Sequence, residues 1–175
     1  MDEKEIRNLI KELGMFLASD GEHIAMPKCK KAIKMGPVIT ANREAILAIL
    51  RKDKADKKAA IEERQRKIDS IEGLKELEAL MDEWDKWFRA LHRSYDDCTY
   101  RVPVKPAIEV AELAKKYPRA AAYIKAEAMS EARHFAKSSA GKKALERIIN
   151  GEDYGEALRD AEAEWTKYCD DHVWD

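Results

Sequence analysis

The sequence predicts an all-α protein, and three observations support that prediction. Only 7 Gly and 5 Pro occur in 175 residues, so few positions break a helix. Charged residues make up 38% and apolar residues 45%, which favours long helices with solvated faces. Apolar residues also recur at steps of three and four over much of the chain. We therefore expect a long antiparallel helical hairpin followed by a smaller helical C-terminal part.

The first predicted helix covers residues 2–17, which carry one apolar stripe. Asp2 stands at its start with Glu5 three positions later, a spacing typical of a capping pair at a helix N-terminus. The stripe consists of Ile6, Leu9, Ile10, Leu13, Phe16 and Leu17.

The helical period stops in residues 19–40. Gly21, Pro27, Gly36 and Pro37 interrupt short apolar pieces there. We expect an irregular segment that holds a short hairpin or one helical turn. Together with the first helix it forms the first predicted domain, 1–40.

A long run without Gly or Pro begins at Thr40, a natural N-cap, and reaches Asp69. Its heptad positions are apolar at both ends and basic in the middle, where Lys54 and Lys57 occupy them. The middle turns are therefore expected to stand in water. Basic and acidic residues are mixed over residues 51–67, which is typical of a solvated helix face.

Residues 70–73 break this run, and a more regular heptad pattern follows them. Two long helices joined by a short turn predict an antiparallel hairpin, which forms the second domain, 41–97. The seam can close within one chain or against another copy, and we expect a homodimer. The seam positions of the second helix are Leu74, Leu77, Met81, Trp84, Phe88, Leu91 and Tyr95.

The third predicted domain, 98–175, contains several shorter helices. Pro103 and Pro106 favour an extended connector over residues 96–106, because proline does not continue a helix. A short helix over residues 107–117 follows the connector.

Pro118 suits the first turn of the next helix, where its missing N–H costs nothing. That helix is rich in Ala, which permits close helix approach around the larger side chains of Tyr123, Ile124 and Phe135. We expect this helix to be bent or interrupted near Ser138, Ser139 or Gly141. Asn150 and Gly151 predict the end of the helical run, and a last helix is expected from about Asp153.

Charge is divided within the C-terminal domain. The whole chain has a net charge of −1, which gives no argument for a polyanionic or membrane-surface partner. Residues 98–150 contain 11 basic and 5 acidic side chains, whereas residues 151–175 contain 2 basic and 9 acidic ones. Either the acidic last helix packs on the basic segment and cancels its charge, or a basic face remains that meets phosphates. The residues of that face are Arg119, Lys125, Arg133, Lys137, Lys142, Lys143 and Arg147.

No catalytic or metal-binding motif appears in the sequence. The four His residues lack the paired spacing of a helical zinc site, and no nucleotide-binding or nucleophile motif occurs. We therefore expect no enzymatic activity, no cofactor and no metal. Trp87 lies off the heptad seam, so it is a candidate anchor for a partner.

Two stretches of the C-terminal third carry a resemblance to a known group of proteins. They are Tyr117–Glu127 (YPRAAAYIKAE) and Gly141–Tyr154 (GKKALERIINGEDY), with Trp174 and Asp175 at the chain end. Over residues 70–175 the chain resembles small phage and prophage proteins of Firmicutes. The resemblance implies a mobile-element setting and supplies no site residues.

That setting leads to the functional hypothesis. We expect a non-enzymatic phage protein that inhibits a host defence complex, specifically a CRISPR effector nuclease, and that contacts the effector protein or nucleoprotein. The N-terminus contains three acids in its first five residues and no apolar stretch for export, so we expect a location in the cytoplasm of the host bacterium and no membrane partner. The alternatives are a DNA- or RNA-binding accessory protein of phage replication or recombination, and a small-ligand sponge.

Overall fold

The computed structural model describes the backbone of residues 1–93, 104–133 and 135–172, and the side chains of residues 1–83, 109–133 and 135–172. In these residues the regular structure is helical except for one small two-stranded sheet. The all-α prediction is therefore confirmed. The chain divides into two compact units, residues 1–63 and 64–175.

The N-terminal unit contains four helices and the sheet in its described residues. In chain order its elements are α1 (Glu3–Leu13), β1 (Phe16–Leu17), β2 (Ile24–Ala25), α2 (Lys30–Lys34), α3 (Gly36–Ala41) and the larger part of α4 (Arg43–Asp69). The two strands pair antiparallel, with Phe16 opposite Ala25. Apolar residues of α1, α3 and α4 form the core of this unit, among them Ile6, Leu9, Ile39, Ile46 and Leu50.

Helix α1 begins as predicted and ends earlier. The Asp2 carboxylate accepts the backbone N–H of Glu5, and the Glu5 carboxylate accepts that of Asp2, so the capping prediction is confirmed. The helix ends because Gly14 adopts a left-handed conformation with φ of 59°. Phe16 and Leu17, predicted to continue the helical stripe, form β1 instead.

The predicted N-cap of the long helix is wrong. Thr40 lies inside the short helix α3, where its hydroxyl donates to the carbonyl of Gly36. A threonine hydroxyl bonds backward along a helix as readily as it caps one, so its position is ambiguous in sequence. The segment predicted as irregular, 19–40, contains β2, which pairs with β1 just before the segment, and also contains α2 and most of α3.

The middle of α4 stands in water, as its basic heptad positions predict. Every residue from 54 to 63 is exposed, including Ile61 at 68%. Residues with high helix propensity occupy this stretch, and Lys58 lies 3.7 Å from Glu62 one turn later.

The C-terminal unit contains the end of α4 and five further helices in its described residues. They are α5 (Leu74–Arg93), α6 (Val104–Lys116), α7 (Pro118–Glu131), α8 (Phe135–Ile149) and α9 (Tyr154–Asp171). Gly73 in the predicted breaker has φ of 75°, and Pro118 occupies the first turn of α7. Gly151 has φ of 88° in the predicted stop after α8.

Helices α7, α8 and α9 form the closely packed centre of this unit. Small residues allow the close approach, since Ala120, Ala126 and Ala144 are almost fully buried among larger residues such as Ile148. Gly141 faces α7 so closely that an added Cβ would lie 2.4 Å from the backbone nitrogen of Ser130.

Two predictions in this unit need correction. Pro106 does not end an extended connector, because α6 begins at Val104 and Pro106 lies in its first turn, where N–H groups have no intrahelical acceptor. The predicted interruption near residues 138–141 lies earlier in the chain, since α7 ends at Glu131, residues 132 and 133 are not helical, and α8 runs from Phe135 through Gly141. Gly141 serves close helix packing there. The remainder of the predicted connector lies outside the described residues.

The compact units also differ from the predicted domains, whose boundaries were 40/41 and 97/98. The observed boundary falls inside α4. Leu74 and Leu77 of α5 are buried in the core that α7, α8 and α9 build, and α5 contacts α6 and α7. Met81, the next seam position, is exposed. The heptad pattern therefore identified the buried face of α5 at two positions but not the helices that cover it.

Candidate partner-binding surface

The predicted basic residues lie along two antiparallel helices. Arg119 and Lys125 belong to α7, Arg133 follows its end, and the remaining four belong to α8. Trp87 belongs to α5, at a position whose side chain lies outside the described residues.

Acidic residues of α9 face several of these bases. Lys125 pairs with Glu162, and Lys143 pairs with Glu164 at 2.9 Å. The charge-cancelling alternative therefore holds for these two bases. Both pairs are largely exposed, so each contributes little to stability, but each places a carboxylate where a phosphate would otherwise bind.

Arg147 is the most fully paired base on α8. Its guanidinium donates to Glu152 at 2.8 Å and to Asp160 at 2.6 Å. These hydrogen bonds raise the pKa of Arg147, the one to Glu152 most strongly. An arginine held by two carboxylates has lost most of its capacity to attract a further anion.

Arg119 has a role within the fold. Its guanidinium donates to the backbone carbonyl of Ile148 at 2.7 Å, in the last turn of α8. The last carbonyls of a helix have no intrahelical donor, so this side chain caps α8. Arg119 therefore contributes to the packing of α7 on α8.

Three of the predicted bases are not paired with a carboxylate in the described residues, so their positive charge can still attract an anion. Arg133, Lys137 and Lys142 have no acidic partner within 4.0 Å among the described residues. Arg133 follows α7, and the two lysines lie in the first half of α8. The available positive charge is thus concentrated toward one end of the bundle.

The same end presents aromatic side chains. Phe135 is 83% exposed, although the sequence predicted it as a packing anchor. Its position explains the difference, because Phe135 is the first residue of α8 and precedes the buried residues through which α8 packs. On α9, Trp165 stacks on Tyr168 with ring centroids 5.6 Å apart, and Tyr168 stacks on His172 at 4.2 Å.

The direction of the helices brings these groups to one end. Lys143 pairs with Glu164, whereas Arg147, further along α8, pairs with Asp160, which lies earlier in α9. The two helices are therefore antiparallel, and the start of α8 lies beside the end of α9. We name this end of the bundle the aromatic end, and it consists of Phe135, Trp165, Tyr168 and His172 together with the bases Arg133 and Lys137.

The aromatic end was missed in the sequence for an identifiable reason. Trp165 and Tyr168 share a face of α9 with Leu158 and Ala161, so they fit a buried stripe. Phe135 begins a new helix after the break that follows Glu131, and no Gly or Pro in the sequence marks that break.

Two features of the described residues bear on metal binding and catalysis. Among the described side chains, those of residues 1–83, 109–133 and 135–172, no group of three or more His, Cys, Asp or Glu is arranged to hold a metal ion. A groove of about 620 Å³ along α5 and α6 is lined by Glu76, Glu83, Glu109 and Glu112 beside Lys116. It contains carboxylates but no nucleophile beside a histidine among its described lining residues.

A search for spanning segments in the described part of the chain found no helix with the length and apolar character needed to cross a bilayer. Comparison with known protein families, curated proteins and solved structures gave no match for this chain. The case for its function therefore depends on the residues themselves.

Proposed function

We propose that this protein is a non-enzymatic interaction protein whose aromatic end binds a protein or nucleoprotein partner. The observation that supports the proposal is the 83% exposure of Phe135 on a closely packed bundle. A large, rigid aromatic side chain gains much free energy when a partner covers it, and exposing one to water has no stability benefit. Arg133 and Lys137 flank it and favour a partner with acidic or phosphate groups.

The partner that we propose is a host defence complex, specifically a CRISPR effector nuclease. This choice is supported by the resemblance of residues 70–175 to phage and prophage proteins of Firmicutes. Such an effector presents a nucleic-acid channel rich in basic groups and a bound RNA backbone. Asp170 and Asp171 of α9, which pair with none of the bases on α7 and α8, suit the channel, and the available bases at the aromatic end suit the RNA backbone. The site of action in this proposal is the cytoplasm of the host bacterium.

The test is inhibition of DNA cleavage by a purified, guide-loaded Cas9-type effector. We expect the protein to reduce the cleavage rate, and we expect Phe135→Ala combined with Lys137→Glu to weaken inhibition by about tenfold or more, as for a hot-spot residue. Phe135 is exposed and begins a helix, so alanine there should preserve the fold.

Ile33→Ala combined with Lys34→Glu is the matched control. Ile33 is 78% exposed and Lys34 follows it in the N-terminal unit. This control therefore also removes one large exposed apolar side chain and reverses one positive charge, but at a site away from the aromatic end. Equal loss in both variants would reject the aromatic end as the contact. Undiminished cleavage at saturating protein would reject the effector as the partner.

A second candidate function is nucleic-acid binding in phage replication or recombination. Arg133, Lys137 and Lys142 favour it, since they have no acidic partner among the described residues. Binding through three such bases predicts a slope of about −2 to −3 for log affinity against log salt on duplex DNA. Retained effector binding at a salt concentration that abolishes DNA binding would exclude this function as the main one.

A further inference from the structure

The N-terminal unit has a groove of about 770 Å³ along one face of α4. Ile10, Met15 and Leu50 line it with apolar surface, and Met15 and Leu50 are themselves buried residues of the core. Two large apolar side chains in its lining are left in water, Phe16 at 56% and Ile61 at 68% exposure. Exposed apolar groups beside a concave apolar lining are typical of a surface that a partner covers.

The groove has the dimensions of a helix-binding site. Its lining follows α4 from Leu50 to Ile61, which corresponds to about 17 Å at 1.5 Å per residue, or about three helical turns. The residues of α4 that line it recur at steps of three and four, so they form one face of that helix. A helix of about three turns would lie along this face with its apolar stripe toward the lining.

The charge of the groove indicates the chemistry of the partner. Asp53 accepts two hydrogen bonds from Arg7, at 3.1 and 3.2 Å, and Glu62 pairs with Lys58 at 3.7 Å. Both acidic residues of the lining are therefore neutralised within the unit. Lys54 and Lys57 also line the groove, and neither has an acidic partner among the described residues. The groove thus combines apolar surface with two available positive charges.

We propose that this groove binds an amphipathic helix of a partner protein, whose apolar stripe covers Phe16 and Ile61 and whose Glu or Asp residues face Lys54 and Lys57. A strictly apolar helix would leave both lysines desolvated without a counter-charge, which costs free energy. A basic helix would meet them with like charge. This binding site shares no residue with the aromatic end, so either proposal stands if the other fails.

The test uses a pair of synthetic helical peptides of about 14 residues with the same leucine stripe, one with Glu and one with Lys on the flanking positions. Binding to the full chain is followed by backbone amide shifts in NMR. We expect the acidic peptide to shift residues 50–61 and Phe16, and to bind about tenfold more tightly than the basic peptide. Lys54→Glu with Lys57→Glu should reverse that preference, and Ile61→Ser should weaken both peptides.

Matched controls keep the result interpretable. Lys28→Glu with Lys34→Glu makes the same charge change at exposed positions outside the groove, and Ile33→Ser removes an isoleucine there that is 78% exposed, against 68% for Ile61. Both controls should leave peptide binding unchanged. Four results would each overturn the proposal: no binding of the acidic peptide at millimolar concentration, equal affinity for both peptides, shifts confined to other surfaces, or self-association that Ile61→Ser abolishes. The last result would identify a second copy as the occupant.

Discussion

Two basic regions of this protein differ in what faces their charges. On α7 and α8, the bases Lys125, Lys143 and Arg147 are paired with carboxylates that α9 and the residues before it supply. On α4, Lys54 and Lys57 stand beside apolar surface and have no acidic partner among the described residues. The number of basic residues in a segment therefore says little about its attraction for anions, because pairing within the fold decides how much charge remains.

The largest expected effect is on the free energy of unfolding, and it compares a buried residue of the bundle with an exposed residue of α4. Ile148 has 0% exposure, whereas Ile61 has 68%. We expect Ile148→Ala to lower the free energy of unfolding by about 3 kcal/mol, because it removes buried methyl groups and leaves a cavity. Ile61→Ala should change it by less than about 0.5 kcal/mol. Urea denaturation measures both, and similar losses would contradict the difference in burial.

The next effect concerns the close contact of α7 and α8. A Cβ on residue 141 would lie 2.4 Å from the Ser130 nitrogen and 2.5 Å from the Met129 carbonyl carbon, both backbone atoms that move only with their helix. We expect Gly141→Ala to lower the free energy of unfolding by about 1–3 kcal/mol, measured by urea denaturation. Gly36→Ala is the control, since nothing lies within 4 Å of its added Cβ, and it should be neutral or slightly stabilising.

A smaller effect is expected on DNA affinity when the pairs between α9 and the bases of α7 and α8 are broken. Glu162→Gln combined with Glu164→Gln removes the carboxylates that face Lys125 and Lys143. We expect tighter binding to duplex DNA at low salt, with the log–log salt slope steeper by about 2, one for each base released.

The matched control for this charge change is Glu156→Gln combined with Asp170→Asn. It removes two carboxylates at exposed positions near the two ends of α9, and neither of them pairs with Lys125 or Lys143. An equal gain in DNA binding by the control would show that net charge, and not release of these two bases, is responsible.

The smallest effect concerns pH and the turn before β2. The Asp20 carboxylate accepts the backbone N–H of Glu22 at 2.8 Å and faces the imidazole of His23 at 2.6 Å. These hydrogen bonds lower the pKa of Asp20 from 3.8 to about 2, the one from Glu22 most strongly. A lowered pKa stabilises the fold above the ordinary value, and that contribution disappears as the pH falls through about 2.

We therefore expect wild type to unfold at a higher temperature than Asp20→Asn at pH 5, with the difference shrinking between about pH 4 and pH 2. An NMR titration of the Asp20 carboxyl group measures the same quantity directly. A midpoint near 3.8, the ordinary value, would contradict the observed hydrogen bonds.

Local signals in the sequence predicted many helix ends correctly. The Asp2 and Glu5 pair caps α1, Pro118 begins α7, and Gly151 lies in the turn that ends α8. Each of these residues acts through its own backbone or through neighbours three positions away, so nearby sequence contains the necessary information. The N-cap prediction for Thr40 is wrong, because a threonine hydroxyl can either cap the helix that follows or donate to a carbonyl one turn earlier, and that of Thr40 donates to Gly36.

The candidate site was less accessible to sequence analysis. The seven predicted bases all lie on or beside α7 and α8, but their pairing depends on which turn of α9 each one meets. In the sequence, Phe135 looks like a large residue that packs among the alanines of one continuous helix. In the structure it is the first residue of a separate helix and is 83% exposed. The predicted homodimer stays a prediction, which sedimentation at two concentrations would test.

By itself the sequence determined that this protein is helical, where several of its helices start or stop, and that the middle of α4 faces water, because helical period, capping and solvation act over a few residues. Tertiary structure alone decided that α5 packs into the core with α7, α8 and α9, which bases pair with carboxylates, and that a groove lies along α4. These features depend on side chains far apart in the chain, whose meeting is set by the packing of whole helices.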